Sequence, residues 1–225
     1  MTDLVIFGVG KVADVLYRYI SFDRNYTIVG FTCDAEHVPT DGRFHGLAVV
    51  PFDAVTATFP PQSCTMLIAI GYHQLNTLRA TKFAEAKAKG YRLASYVSSR
   101  AFVGDWLEMG ENCIILDNVG IEPGVRLGDN VALWSNVTIG HHATIGDHCW
   151  LAAHGIVGGN ASLGPRCFLG LNVTIGHQTT IGADSFLGAG VVVTKSAADN
   201  SVFIGRDTEL FRLDSKKFLQ ISKML

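Results

Sequence analysis

Residues 137–164 read VTIGHHATIGDHCWLAAHGIVGGNASLG. Within this stretch an aliphatic residue returns at every sixth position, as Ile139, Ile145 and Leu151 do. The same register continues in both directions without a slip over sixteen aliphatic or Met positions, which are Val103, Met109, Ile115, Ile121, Leu127, Leu133, Ile139, Ile145, Leu151, Val157, Leu163, Leu169, Ile175, Ile181, Leu187 and Val193. The chain therefore contains an internal repeat, and this repeat organises the rest of the sequence.

The six-residue period matches neither the period of a helix nor the alternation of a strand. Short strands joined by tight turns would instead wind into a coil with three faces. Gly follows the aliphatic residue in eleven of the sixteen cases, which suits a corner where the backbone turns sharply without a Cβ. A small or β-branched residue comes four positions after most of the aliphatics, so both positions are predicted to fill one apolar column.

The five cysteines are an odd number and include no CxxC pair, which argues against a disulfide framework and a zinc ribbon. Cys113, Cys149 and Cys167 occupy the small inward position of the repeat. We interpret them as compact core residues, because a free cysteine packs like a small hydrophobe.

The pattern aliphatic-Gly-x-x-small-x resembles that of the hexapeptide-repeat transferases. The resemblance covers roughly residues 98 to 200. It implies a left-handed parallel β-helix that assembles into a homotrimer and uses acyl-CoA. The handedness comes from the resemblance alone, since right-handed crossovers are the general expectation.

The 225 residues have room for two modest domains. The net charge of −2 and the absence of a basic run make nucleic acid and anionic membranes poor partners. No apolar stretch is long enough for a transmembrane helix, and the first residues, MTDLVIFGVG, do not read as a signal peptide. We therefore expect a cytoplasmic protein.

The first hundred residues alternate strand and helix patterns, which predicts a parallel sheet in a small Rossmann-like domain. Strands are predicted at 4–7, 26–31, 47–50, 66–70 and 93–97, with helices after the first and fourth. The turn after the first strand reads Gly8-Val9-Gly10-Lys11-Val12-Ala13, where backbone N–H groups and a helix N-terminus can hold phosphate. Asp34 follows the second strand at a distance suited to a ribose.

This glycine motif is weak by itself, because a turn without a ligand would look the same. It could also indicate NAD, but about 95 residues are too few for the two halves that a dinucleotide requires. A mononucleotide portion fits the length better.

A small Gly-loop domain followed by a hexapeptide coil resembles the PglD-like family (sialic acid O-acetyltransferase NeuD-like), which acylates nucleotide-linked amino sugars in bacterial surface-glycan and lipopolysaccharide biosynthesis. The resemblance implies three parts: residues 1–98 bind the nucleotide sugar, 99–200 form the acyltransferase coil, and 201–225 form a tail with a capping helix. That helix is predicted to start near Asp214 or Ser215.

The resemblance also assigns residues that contact the nucleotide sugar, which here are Gly8, Gly10, Lys11 and Asp34. The next ligand-facing loop corresponds to Gly71, Tyr72, His73 and Asn76, with Arg79 beyond it. Arg79 could reach a phosphate, and a solvated helix arginine is the alternative.

The general base of that family is a histidine in this part of the coil, and His141 matches it. An imidazole with a pKa of about 6.5 can take the proton of the attacking amine near neutral pH. The resemblance gives the backbone N–H of Gly159 to the developing oxyanion. Acyl-CoA would lie between neighbouring subunits against Gly159 and against Trp150, Leu171, Asn172, Ala189 and Gly190.

Two substitutions relative to the family alter the predicted substrate pocket. His142 stands where the family has an acidic residue directly after the base, and Trp134 replaces a polar residue seven positions before it. Both are predicted to contact the substrate, and the group that orients the His141 ring is left open.

Three other interpretations remain. A sugar O-acetyltransferase would use the same residues, and a non-enzymatic scaffold would give His141 no role. A γ-carbonic-anhydrase-like lyase would bind zinc through His141 and His177, but its third ligand position is Gly182, and an open catalytic zinc needs three ligands. We expect acetyl-CoA or another acyl-CoA as co-substrate and no metal.

Overall fold

The computed structural model describes residues 2–222 of the chain. The N-terminal domain contains strands β1 (Thr2–Phe7), β2 (Tyr26–Cys33), β3 (Arg43–Phe44), β4 (Leu47–Pro51) and β5 (Thr65–Ile68), and helices α1 (Lys11–Asp23), α2 (Val55–Thr58) and α3 (Thr77–Ala88). The strands lie in the order β3-β4-β2-β1-β5 and are parallel except for the β3–β4 pair. β1 is apolar and buried from Leu4 to Phe7, as is typical of a strand covered on both faces.

The predicted strand at 93–97 is divided between the two domains, which is a correction. Leu93 forms an isolated bridge with Met66, and the N–H of Ala94 donates to Met66. Two residues later, the N–H of Tyr96 donates instead to Cys113 of the coil. Tyr96 and Val97 pair in parallel with β8 of the coil, so β6 (Tyr96–Val97) belongs to the coil.

The coil consists of two-residue strands that repeat along the chain. They are β7 (Glu108–Met109), β8 (Ile114–Ile115), β9 (Gly120–Ile121), β10 (Arg126–Leu127), β11 (Ala132–Leu133), β12 (Thr138–Ile139), β13 (Thr144–Ile145), β14 (Trp150–Leu151), β15 (Ile156–Val157), β16 (Ser162–Leu163), β17 (Phe168–Leu169), β18 (Thr174–Ile175), β19 (Thr180–Ile181), β20 (Phe186–Leu187), β21 (Val192–Val193) and β22 (Val202–Phe203). Each pairs in parallel with the equivalent strand of the next turn, for example Thr138 with Ile156. The predicted fold class, a small Rossmann-like domain followed by a left-handed parallel β-helix, is confirmed.

Three parallel sheets form the faces of the prism. We call them the first sheet (β6-β8-β11-β14-β17-β20-β22), the second sheet (β9-β12-β15-β18-β21) and the third sheet (β7-β10-β13-β16-β19). The chain turns from the second sheet into the third at residues 140–142, 158–160 and 176–178, which we call the far edge. In a triangular prism, this edge lies opposite the first sheet.

The predicted apolar column is the core of the coil. From Ile115 to Val193 the sixth-position aliphatics are all buried, and so are Cys113, Cys149 and Cys167. The interpretation of these cysteines as core residues is confirmed, and burial raises the pKa of the Cys113 thiol to about 11. Met109 is an exception at 39% exposed, because the first turn has no turn beneath it.

The glycines after the aliphatic positions serve a purpose other than the one predicted. Within residues 2–222 none of these eleven glycines has a positive φ; the left-handed residue stands two positions later, as at Asn130, His142 and Asn160. A Cβ on Gly140 would lie 2.6 Å from the nitrogen of Gly159. These positions therefore need glycine because the next turn approaches so closely, which corrects the backbone-turn explanation.

The N-terminal domain covers the first sheet of the coil. One apolar cluster joins Leu4 and Ile6 of β1 to Ala132, Trp150 and Phe168 on that sheet. Polar contacts fix the same arrangement: Asn112 accepts a hydrogen bond from the N–H of Ile68 (2.8 Å), and Asp23 accepts one from the Tyr96 hydroxyl (2.6 Å). The far edge is consequently remote from the N-terminal domain of the same chain.

Helix α4 (Ser215–Ser222) begins where it was predicted, and Asp214 accepts a hydrogen bond from the N–H of Lys217 (3.0 Å) at its start. Apolar side chains of the tail are exposed in a single chain, with Leu210 at 98%. The capping role therefore stays a prediction, and residues 223–225 of the tail lie outside the described residues. Across residues 2–222 no helix has the length and apolarity needed to span a bilayer.

Gly146→Ala is expected to destabilise the coil, because a Cβ there would lie 2.7 Å from the nitrogen of Pro165 on the next turn. We expect the free energy of unfolding, measured by chemical denaturation, to fall by about 1–3 kcal/mol. Gly120→Ala is the matched control, since a Cβ on Gly120 would have no heavy atom within 4 Å. An equal loss in both variants would contradict the close-approach explanation.

Candidate active site

A cavity of about 660 Å³ lies at the carboxyl ends of β1, β2 and β5. Its lining includes the residues predicted around the glycine loop, which are Gly8, Gly10, Lys11 and Asp34, and three from the following loop, Gly71, Tyr72 and His73. The structure thus brings together seven of the residues that were predicted to bind the nucleotide sugar. Their ligand stays a proposal.

The glycine loop gives this cavity its shape. Gly8 has a φ of 123°, and a Cβ on it would lie 2.7 Å from the carbonyl oxygen of Ala69, so this position needs glycine. A Cβ on Gly10 would have no heavy atom within 4 Å, and Gly10 directly precedes α1. The open space therefore lies at a helix N-terminus, where backbone N–H groups favour an anion such as phosphate.

Lys82 of α3 also lines the cavity and was missed in the sequence. Its Nζ lies 2.7 Å from Asp34 and 3.0 Å from Glu85. Burial lowers the pKa of Lys82, but the hydrogen bonds to the two carboxylates outweigh it and raise that pKa overall. Lys82 follows Leu78 by four residues and so lies on the same face of α3, and Leu78 lines the same cavity. This spacing was the sequence feature that could have identified Lys82 as a cavity residue.

Arg79 does not face the cavity. Both predictions for this residue, a phosphate contact and a solvated helix arginine, are therefore wrong. Its side chain is fully buried between α3 and the coil. The guanidinium donates to the carbonyls of Asn130, His148 (2.8 Å) and Cys149 (3.3 Å), and to the side-chain oxygen of Asn76 (3.0 Å). Arg79 therefore ties the two domains together and is neither solvated nor placed for a phosphate.

Asn76 is corrected for the same reason. It is fully buried, and its Nδ2 donates to the carbonyls of Arg166 (3.3 Å) and Cys167 (3.2 Å). Burial lowers the pKa of Arg79 to about 10, so the guanidinium stays charged at neutral pH. That charge and burial together lower the pKa of His148, burial being the larger cause.

Trp150 is only 3% exposed and packs between the domains, which contradicts its predicted contact with acyl-CoA. Its ring centroid lies 5.3 Å from that of Trp134 and 5.4 Å from that of Tyr72. The physical reason is that β14 belongs to the first sheet, whose outer face the N-terminal domain covers. Trp134 is half-buried in the same cluster, and its contact with the substrate stays a prediction.

The far edge brings together His141, Gly159 and His177. His141 is exposed, and a Cβ on Gly159 would lie 2.7 Å from its Nε2. The His141 and His177 ring centroids are 6.1 Å apart although two turns of the coil separate them. The imidazole of His141 can lean over the next turn because Gly159 has no side chain.

Two neighbours hold His141 in place. Its backbone N–H donates to Glu122 Oε2 (2.7 Å), a residue that the sequence analysis missed. Its Nδ1 lies 3.2 Å from Nδ1 of His142. The substrate contact predicted for His142 stays a prediction, whereas its contact with His141 is observed.

The N–H of Gly159 donates no hydrogen bond within the described chain. It lies beside Gly140, close to the His141 ring, so a donor and a proton acceptor are neighbours at the far edge. This arrangement suits an acyl-transfer reaction, in which a base removes a proton while a fixed N–H stabilises an oxyanion.

The other residues predicted to contact acyl-CoA are exposed at a different edge, between the first and second sheets. They are Leu171, Asn172, Ala189 and Gly190. In one chain they are on a different edge from His141, and their role stays a prediction. In the described part of the chain no group of three or more His, Cys, Asp or Glu is arranged to hold a metal ion.

The sequence model described as bacterial transferase hexapeptide (six repeats) matches residues 108–141 and 160–195. Most of the coil therefore matches the repeat of this family, and the hexapeptide-repeat resemblance found in the sequence is confirmed. No curated protein matches the chain.

Solved structures match nearly the whole chain. PerB from Caulobacter crescentus, in complex with CoA and GDP-perosamine, is 26% identical with a TM-score of 0.79, over 90% of this chain and 93% of that one. A variant of perosamine N-acetyltransferase from the same organism, with a histidine replaced by asparagine and the same two ligands, is 25% identical with a TM-score of 0.80, over 91% and 94%. The acetyltransferase domain of PglB from Neisseria gonorrhoeae, in complex with acetyl coenzyme A, shares the fold at 20% identity, with a TM-score of 0.79 over 89% and 94%.

Arg79→Ala is expected to lower the free energy of unfolding by more than about 2 kcal/mol, because buried carbonyls would lose a charged donor. Denaturant unfolding measures the change, and Arg18→Ala is the control, since that helix arginine is exposed and pairs only with Asp14. Unchanged stability with weaker nucleotide binding would instead restore the phosphate-binding interpretation.

Proposed function

We propose that this protein transfers an acetyl or other short acyl group from acyl-CoA to the amino group of a nucleotide-linked amino-deoxy sugar. Its general class is that of the acyl-CoA-dependent sugar acyltransferases with hexapeptide repeats. The observation that carries the proposal is the exposed His141 imidazole, whose Nε2 lies against Gly159 beside an N–H without an acceptor in the described chain.

In the proposed reaction, the sugar amine attacks the thioester carbonyl of acyl-CoA. His141 Nε2 takes a proton from the amine as the new C–N bond forms. The N–H of Gly159 donates to the oxyanion of the tetrahedral intermediate. The C–S bond then breaks, the carbonyl re-forms, and the proton passes to the departing CoA thiolate. The products are the sugar amide and free CoA.

The N-terminal cavity supports a nucleotide-linked substrate. The open space at Gly10 and the start of α1 suits a diphosphate, Lys11 adds positive charge, and Asp34 can accept hydrogen bonds from a ribose. The Caulobacter crescentus structures hold CoA and GDP-perosamine. A role in bacterial surface-glycan, including O-antigen, biosynthesis follows as part of the same proposal.

The positions of the two sites support a homotrimer. The cavity and the far edge lie on opposite sides of the coil in one chain, because the N-terminal domain covers the first sheet. A sugar held in the cavity would have to cross the prism to reach His141 of its own chain. A second copy can instead present its sugar, and the groove between copies can receive acyl-CoA against Leu171, Asn172, Ala189 and Gly190.

His141→Ala and His141→Asn are expected to lower kcat by about 10²–10⁴-fold, since each removes the base. Thiol release from acetyl-CoA in the presence of nucleotide-linked amino sugars measures the rate, and calorimetry checks that nucleotide-sugar binding is intact. Full activity in either variant would exclude the mechanism. Hydroxylamine treatment of the product, followed by mass spectrometry, distinguishes an amide from the ester that an O-acyltransferase would make, because hydroxylamine cleaves the ester and leaves the amide intact.

Mixed assemblies test whether two chains form each site. Gly10→Glu is expected to block the phosphate site while leaving the fold intact, because Gly10 faces open space. Equal amounts of His141→Ala and Gly10→Glu chains are refolded together. If each site takes His141 from one chain and the glycine loop from another, about a quarter of the sites contain both intact parts, because each part is intact in half of the chains. The mixture should then recover about a quarter of wild-type activity. No recovery in assemblies shown to be mixed by mass would indicate that each chain forms its own site.

A further inference from the structure

The two adjacent histidines of the far edge share a hydrogen bond through their Nδ1 atoms. The distance between Nδ1 of His141 and Nδ1 of His142 is 3.2 Å, and the rings meet edge to face. Two ring nitrogens at this distance are joined by one proton, so one ring donates and the other accepts.

The proposed chemistry decides the direction of this bond. Nε2 of His141 lies against Gly159 and needs a free lone pair to take a proton. The neutral His141 ring must then carry its proton on Nδ1. His142 consequently accepts this proton with its own Nδ1 and carries its hydrogen on Nε2.

The backbone and a glycine hold His142 in position for this contact. His142 has a left-handed φ of 60°, and its N–H donates to the carbonyl of Pro123 (3.1 Å). Its ring lies over Gly124, where a Cβ would stand 2.8 Å from His142 Cδ2. Glu122 contacts the backbone N–H of His141, and the His177 ring centroid lies 6.1 Å from that of His141. Within the described chain, His142 is thus the observed partner of His141 Nδ1.

We propose that His142 is the positioning residue of the active site, a neutral imidazole that fixes the Nδ1–H tautomer and the ring orientation of His141. This inference rests on the proposed acyl transfer.

Three substitutions at one position separate the possible roles of this side chain. His142→Gly removes the acceptor and suits the left-handed φ. His142→Asn places an amide oxygen where Nδ1 stands, and asparagine already occupies equivalent turns at Asn130 and Asn136. His142→Asp places a carboxylate there, which stabilises a charged imidazolium.

The expected results differ for each variant. His142→Gly should lose about 10- to 100-fold in kcat with KM little changed, as is usual when a supporting hydrogen bond to a functional histidine is removed. His142→Asn should retain most of kcat, because its amide oxygen can accept from His141 Nδ1. His142→Asp should move the acidic limb of the pH profile to higher pH. Asn118→Gly, at an equivalent left-handed turn on another edge, is the control and should match the wild type.

Nitrogen-detected NMR of histidine-labelled protein reads the tautomer without substrate. We expect an Nδ1–H ring for His141 in the wild type and in His142→Asn, and a shift toward the Nε2–H tautomer in His142→Gly. Wild-type kcat and an unchanged tautomer in His142→Gly would overturn the proposal. Because this readout requires no turnover, failure of the proposed acyl transfer would appear separately, as an inactive wild type with the predicted tautomer.

Discussion

Close approach between successive turns of the coil is the constraint on which the rest of the structure depends. The corner residues after the buried aliphatics stand so near the next turn that a Cβ at Gly140, Gly146 or Gly158 would lie within 2.7 Å of its backbone. This spacing keeps the register constant, and it arranges equivalent residues in columns along each edge. The far edge is one such column, and the absence of a side chain at Gly159 lets His141 lean toward His177. The same packing requirement thus stabilises the fold and shapes the candidate active site.

The junction between the domains depends on a buried charge and its hydrogen bonds rather than on close approach of the backbone. Arg79 is fully buried without a carboxylate among its hydrogen-bond partners. Carbonyl and amide oxygens of the coil and of Asn76 accept from its two terminal nitrogens, while Nε has no partner within the described chain. A charge in such a setting is stable only while all those acceptors stay in place, so it favours one relative orientation of the domains. That orientation puts the cavity at the glycine loop on one side of the prism and His141 on the other, which is the reason for proposing sites built from two chains.

Much of the fold and part of the site could be predicted from residue patterns. The coil, its buried positions, the core cysteines and the glycine loop all follow from local regularities, in which each residue's role depends on its place in a short repeat or motif. The predictions for Arg79, Asn76 and Trp150 were wrong because their surroundings come from distant segments: Arg79 meets Asn130 and His148, and Trp150 meets Tyr72. Glu122 and Lys82 were missed for the same reason, since their partners are 19 and 48 residues away.

The sequence by itself determined the coil, its register and the residues that point inward, because a six-residue repeat can bury its aliphatics in only one continuous column. The resemblance to the sugar acyltransferases also predicts His141 as the base, and this role stays a prediction. Only the tertiary structure decided which face the N-terminal domain covers, why glycine follows most of the aliphatics, and which group contacts His141 Nδ1. Those features depend on contacts between atoms of different turns and of different domains. The repeat has nearly the same pattern in every turn, so the pattern alone does not show which turn contacts the N-terminal domain.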